Sequence, residues 1–164
     1  MPAFSAFLRL AALGLTAALT TASACRNDKS PAPALPVLSF KVDGASLGDL
    51  NPNGAYYPTQ RLFVTSGDTV GNDVWNVYLA VDSITRPGNV TTGKLTYVTY
   101  DGRTIKSWAD TVSGTVRISL VELDLATNRV SGSFSGTLTA EPTTAATGTR
   151  VITQGQFTHL KLRR

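Results

Sequence analysis

The sequence predicts an all-β fold, an antiparallel β-sandwich or a small β-barrel of about 7 to 9 strands, and three observations carry that expectation. From Leu38 onward apolar residues recur at every second position, the period of a strand with one face buried. Clusters of Gly, Pro, Asn and Asp interrupt these runs at short intervals, and nothing between them holds the 3.6-residue period of a helix. Charged residues make up 16% of the chain, below the usual level of about 25%, with Thr, Ser and Gly in their place. Such a composition suits strands with hydroxyl-lined outer faces.

Taken in order, Leu38, Phe40 and Val42 alternate with Ser39 and Lys41 up to Asp43-Gly44, a hairpin signal. Gly48 to Pro58, rich in Asn, Pro and Gly, predicts a loop; Arg61 to Thr65 predicts a strand, and Ser66 to Asp73 a polar loop. Val74 to Val81 is apolar on both faces, which predicts a central place in a sheet. A connection from Asp82 to Gly93, broken by Pro87-Gly88, leads to a strand at Leu95 to Tyr100, and Thr104 to Trp108 reads as a weak edge strand. Gly114 to Leu123 shows Val116, Ile118 and Leu120 on one face, and Asp124 to Arg129 reads as a turn.

The alternation is cleanest from Val130 to Ala140, where Ser131, Ser133, Ser135, Thr137 and Thr139 form an outer face. Gly132 and Gly136 on its inner face predict close packing or a bend. After a loop from Glu141 to Thr149, Val151 to Leu162 closes the set, with Gly155 as the expected bulge.

The segment before the β-domain has another character. Arg9 is its one charge before an apolar run from Leu10 to Leu19, and small residues follow, the layout of a secretory signal peptide over residues 1–24. The run is shorter than the roughly 20 apolar residues of a membrane span. Ala22, Ser23, Ala24 and Cys25 resemble the bacterial lipobox, with Ala22 where that family usually has Leu. The resemblance implies cleavage before Cys25 and acylation of its thiol. Ordinary cleavage after Ala24 is the alternative, and it would leave an unpaired thiol on an exported chain. Stable anchoring takes at least two acyl chains, and the lipobox family attaches a diacylglyceryl group. By the same analogy, Arg26 rather than Asp after Cys25 implies transfer to the outer membrane. Residues 25–37 then form a tether whose three prolines favour an extended backbone, and residues 38–164 form the β-domain.

Charge excludes one class of partner. Of the fifteen Lys and Arg residues, Arg9 leaves with the signal peptide and Lys161, Arg163 and Arg164 lie at the C-terminus, so eleven remain against eleven Asp and Glu. A neutral body lacks the basic stripe that nucleic acid requires. Cys25 is the only cysteine, so no disulfide staples the fold.

Phe40-Lys41-Val42-Asp43-Gly44, Val130-Ser131-Gly132-Ser133-Phe134-Ser135-Gly136 and Val151-Ile152-Thr153-Gln154-Gly155-Gln156-Phe157 are similar to segments of small envelope lipoproteins of the Bacteroidota. The resemblance implies an envelope-anchored all-β domain and carries no catalytic residue.

Chemistry is sparse. A zinc site or a nucleophilic triad would have to use His159, the only histidine, so no metal or cofactor is expected. Gly132-Ser133-Phe134-Ser135-Gly136 has Phe134 where a nucleophile elbow has Ser. Asp68 with Asp73, and Asp101 with Asp110, are carboxylate pairs whose default reading is solvated turn residues; Asp68, Asn72 and Asp73 match no EF-hand spacing. Tyr56 and Tyr57 before Pro58, and Trp108 between Ser107 and Ala109, are the candidate ligand-binding residues. As loop rings they would stack on sugar or peptide faces; the competing and weightier reading is that they cap the ends of the core. The expected function is a non-enzymatic, lipid-anchored envelope module that meets a glycan, peptide or protein through loops. A lipocalin-like carrier of a small apolar ligand is the alternative, separated from the first by whether the interior is hollow or filled. A carboxylate-dependent hydrolase stands behind both.

Overall fold

The computed structural model describes residues 37–49, 52–90, 93–111 and 115–164. The expected signal peptide, Cys25 and the tether up to residue 36 lie outside them. The described residues are all-β: β1 Val37–Val42, β2 Ala45–Asp49, β3 Gly54–Tyr56, β4 Leu62–Val70, β5 Asp73–Val81, β6 Gly88–Val90, β7 Gly93–Tyr100, β8 Ile105–Ala109, β9 Arg117–Asp124, β10 Arg129–Ala140 and β11 Thr149–Arg163. Val37, expected as the end of the tether, begins β1.

All of these strands belong to one sheet, in the order β2-β1-β11-β3-β4-β5-β7-β8-β10-β9-β6, and a further pairing of β11 with β10 closes it into a ring. Closure follows from strand length. β10 has 12 residues and β11 has 15, so each serves two neighbours along one edge and the other long strand along its opposite edge. β10 pairs with β9 over residues 129–135 and with β8 at Thr139 and Ala140. β11 pairs with β1 from Thr153 to Thr158 and at Ile152, then with β3 at Leu162 and Arg163. That last contact is parallel and every other pairing is antiparallel.

Rings fill the space inside. Phe40 lies with its centroid 5.2 Å from Trp75, 6.1 Å from Tyr97 and 5.9 Å from Phe134. Tyr97 stacks on Trp108 at 5.9 Å, and Phe134 meets Phe157 at 6.4 Å. Each such pair adds about 0.5–1.5 kcal/mol beyond its buried area. Leu38, Val64, Val77, Leu95, Leu138 and Leu160 complete the buried core.

The expected strands are present, and three short ones add to them where loops were expected. β2 and β3 take parts of the Gly48–Pro58 stretch, and β6 lies within the Asp82–Gly93 connection. Local polarity hid them, since strands of three to five residues can be held by backbone pairing alone. The Ser66–Asp73 loop is corrected to the tip of a hairpin. β4 runs on to Val70 and pairs with Asp73 across a two-residue turn at Gly71 and Asn72. Asp68 and Thr69 face solvent there, so polarity was compatible with pairing. The Asp43-Gly44 turn is as expected, with φ of 50° and 89°, the paired positive values of a type I′ hairpin. β5 is central, between β4 and β7. β8, expected at an edge, is corrected to a place inside the ring between β7 and β10.

β11 carries two bulges, and neither is centred on Gly155. Between Phe134↔Gly155 and Gly136↔Ile152, β11 advances three residues while β10 advances two; Gln154, at φ 52°, is the extra residue. A second lies between Val130↔Leu160 and Gly132↔Phe157, where His159 has φ 51°. Gly155 has a different task. A Cβ there would lie 2.5 Å from the Phe134 carbonyl oxygen and 2.6 Å from its ring, so only glycine lets β10 and β11 approach. A Cβ on Gly132 would likewise lie 2.6 Å from the Phe157 ring. The bulges also change Ser131. It was expected on the outer face but is 9% exposed, because the extra residue folds the His159 backbone over it.

Candidate functional site

The three candidate aromatic residues are not one platform. Trp108 is 2% exposed, stacked on Tyr97, with the Arg150 guanidinium 4.5 Å from its ring centroid and its indole N–H donated to the Thr147 carbonyl at 3.2 Å. It caps the core and has no free face, which corrects the reading of it as a loop ring. Its inward position on β8 sets this, with Ser107 and Ala109 on the strand's other row. Tyr57 is half-buried and donates its hydroxyl to the Ile84 carbonyl. Tyr56 is exposed, and its hydroxyl accepts from Arg163 at 3.3 Å. Trp108 packs against Arg150 at the start of β11 and Tyr56 against Arg163 at its end, so the two rings lie at opposite ends of a 15-residue strand. Two exposed rings that loop-based reading passed over, Tyr78 and Tyr100, lie on the outer face of β5 and β7.

Of the four carboxylates, Asp101 and Asp110 lie in connections, whereas Asp68 and Asp73, expected in a loop, belong to the paired tip of the β4–β5 hairpin. Asp101 accepts from the Thr104 and Arg103 amides at 2.8 and 3.0 Å, and these bonds, with Lys106 nearby, hold its carboxyl below the usual aspartate range. Asp110 accepts from Thr115 Oγ1 at 2.7 Å. Asp68 accepts from the Thr69 amide. Among the described residues no three His, Cys, Asp or Glu side chains gather to hold a metal.

His159 has two neighbours that no motif announced. Ser131 Oγ donates to Glu122 Oε2 at 2.5 Å and accepts from the His159 amide at 2.9 Å, while His159 Nε2 stands 3.9 Å from the same carboxylate oxygen. A hydrolytic triad runs from hydroxyl to imidazole to carboxylate. Here the carboxylate stands between the other two, and the hydroxyl proton is already given to it. The cluster pins the bulge.

A groove lies on the outer side of β6, β9, β10 and β11. Its middle, about 570 Å³, is lined by Ser119, Ser133, Ser135, Gln154 and Gln156 together with Val116, Ile118 and Phe134, and by Arg117. Register explains the lining. Asn89 stands opposite Ser119, Ser119 opposite Ser133, and Ser133 opposite Gln156, giving one polar rung across four strands. Their neighbours Ile118, Phe134 and Phe157 point inward and are buried. Through Asn89 and Val90 the groove continues into a hollow of about 680 Å³ under the Asp82–Val90 segment. Through Ser133 and Gln156 it continues into one of about 340 Å³ beside Val121, Glu122 and His159. The alternation of β10 announced its serines; the rung needed β6, β9 and β11 in register and was not readable locally.

Comparisons of the chain with family models, curated proteins and solved structures return no match.

Proposed function

We propose that this chain is a lipid-anchored, non-enzymatic module of the bacterial cell envelope that binds its ligand on the outside of the β-domain. One observation carries the reading. The relay of rings from Trp108 through Tyr97, Phe40 and Phe134 to Phe157 occupies the interior, whereas a groove runs along the outer face. A carrier of a small apolar ligand works the other way round, with a hollow interior of apolar lining. The order of hydroxyl, carboxylate and imidazole around Glu122 favours a structural over a hydrolytic role. The resemblance of Ala22 to Cys25 to a lipobox supports the anchor, and the proline-rich stretch before β1 supports a spacer between membrane and domain.

The test is to express the full chain in a Gram-negative host, fractionate the membranes and measure the mass of the mature N-terminal peptide. Acyl chains on Cys25 and release of the protein by Cys25→Ser are expected. A soluble product with an unmodified Cys25 would contradict the anchored reading.

A further inference from the structure

Resting on the reading of an externally binding module, we propose that the groove over β6, β9, β10 and β11 is a binding site for a saccharide chain. Shape comes first. The three hollows share walls, Asn89 and Val90 between two of them and Ser133 and Gln156 between the next two. They form one trough that suits an extended ligand of several units better than a single small molecule.

The lining then selects the chemistry. Ser119, Ser133, Ser135, Gln154 and Gln156 make no side-chain hydrogen bond to the described residues, although Ser131 and Thr115 nearby do. Each free hydroxyl or amide can both donate and accept, which matches the hydroxyls of a sugar, themselves donors and acceptors. Val121, 75% exposed at one end, offers an apolar contact for the C–H face of a sugar ring.

Other ligand classes fit less well. A peptide added to a sheet needs a free strand edge; β10 and β11, which carry Ser133, Ser135, Gln154 and Gln156, are paired on both sides, while β6 and β9 beyond Leu120 leave only short free edges at the side of the trough. A polyanion such as nucleic acid needs several cations; among the described residues Arg117 lines the middle of the trough and Arg86 one end, set against Asp82 and Glu122. Val90, Val116, Ile118 and Phe134 also line the middle, but a wholly apolar ligand would leave the hydroxyls and amides beside them dry and unpaired.

The experiment uses the full-length protein in detergent micelles. Calorimetry and ligand-observed NMR are run with a panel of neutral trisaccharides (cellotriose, chitotriose, maltotriose, mannotriose) and a trigalacturonate, with trialanine as the peptide arm. At least one saccharide is expected to bind. Its Kd should rise more than tenfold in Ser119→Ala/Ser133→Ala/Gln156→Ala and stay unchanged in Tyr78→Ala on the opposite outer face, with both variants unfolding at the parent midpoint. Saccharide binding that survives the triple substitution and vanishes with Tyr78→Ala overturns the groove and leaves the module reading standing. Trialanine binding abolished by the triple substitution overturns the ligand class. If no saccharide binds at millimolar concentration the inference fails. If an apolar dye is then taken up by the folded interior, the module reading fails as well.

Discussion

At the scale of single residues, Phe134 and Ser133 show how far alternation can be trusted. Neighbouring strand residues point to opposite faces, and Phe134 is accordingly 3% exposed, between Phe40 and Phe157, while Ser133 opens onto the groove. Phe134→Ala is expected to cost about 3–5 kcal/mol and Ser133→Ala under about 0.5 kcal/mol, read from urea unfolding. Equal, small losses would mean that the face assignment is wrong. Ser131, two positions away in the same pattern, breaks it. Its burial comes from the extra residue at His159 on the facing strand, and nothing within β10 encodes that. Trp108 teaches the same lesson from the other side, because a ring between Ser107 and Ala109 looks weakly supported until Tyr97 and Arg150 are packed against it.

Among the elements, the turn between β9 and β10 was legible and its chemistry gives a pH dependence. Asp124 accepts from the Thr127 hydroxyl at 2.6 Å and from the Thr127 and Ala126 amides, and these bonds lower its carboxyl below the ordinary aspartate value, the hydroxyl contributing most. A carboxylate whose folded pKa is depressed stabilises the fold fully above its unfolded value, and loses that contribution as pH falls through the folded one. Stability is therefore expected to decline below about pH 4, and Asp124→Asn should flatten part of that decline. Urea midpoints of the two proteins, measured from pH 6 to pH 3, check this; a constant difference at every pH would count against the assigned cause. The β4–β5 hairpin was the less legible element. Its tip is polar through Ser66, Asp68 and Thr69, yet Ser66 is buried and donates to Asp49 Oδ2 at 2.5 Å. That contact joins β4 to the end of β2.

For the whole molecule, closure of the ring depends on a short parallel contact. Leu162 and Arg163 meet Ala55 and Tyr56, and the Tyr57 amide donates to the Arg163 carbonyl at 2.8 Å. Removing residues 162–164 should open this seam, withdrawing buried Leu162 from the core at about 2–4 kcal/mol, and should speed amide exchange in β3 and β4 before other strands. Exchange in β3 unchanged from the full chain would show that the seam contributes nothing to closure.

Chain order and side-chain period were enough for the all-β class, the central position of β5, the Asp43-Gly44 turn and the inward face of β10, because each depends on residues within a few positions of one another. Ring closure, the β11 bulges, the burial of Trp108 and the polar rung of the groove depend on which distant strands become neighbours and in what register. A one-residue slip of β11 against β10 would replace Gln156 by Gly155 opposite Ser133 and drive Phe134 against a side chain where glycine now makes room. Register is chosen by the packing of the whole core, so those features came into view only with the tertiary structure.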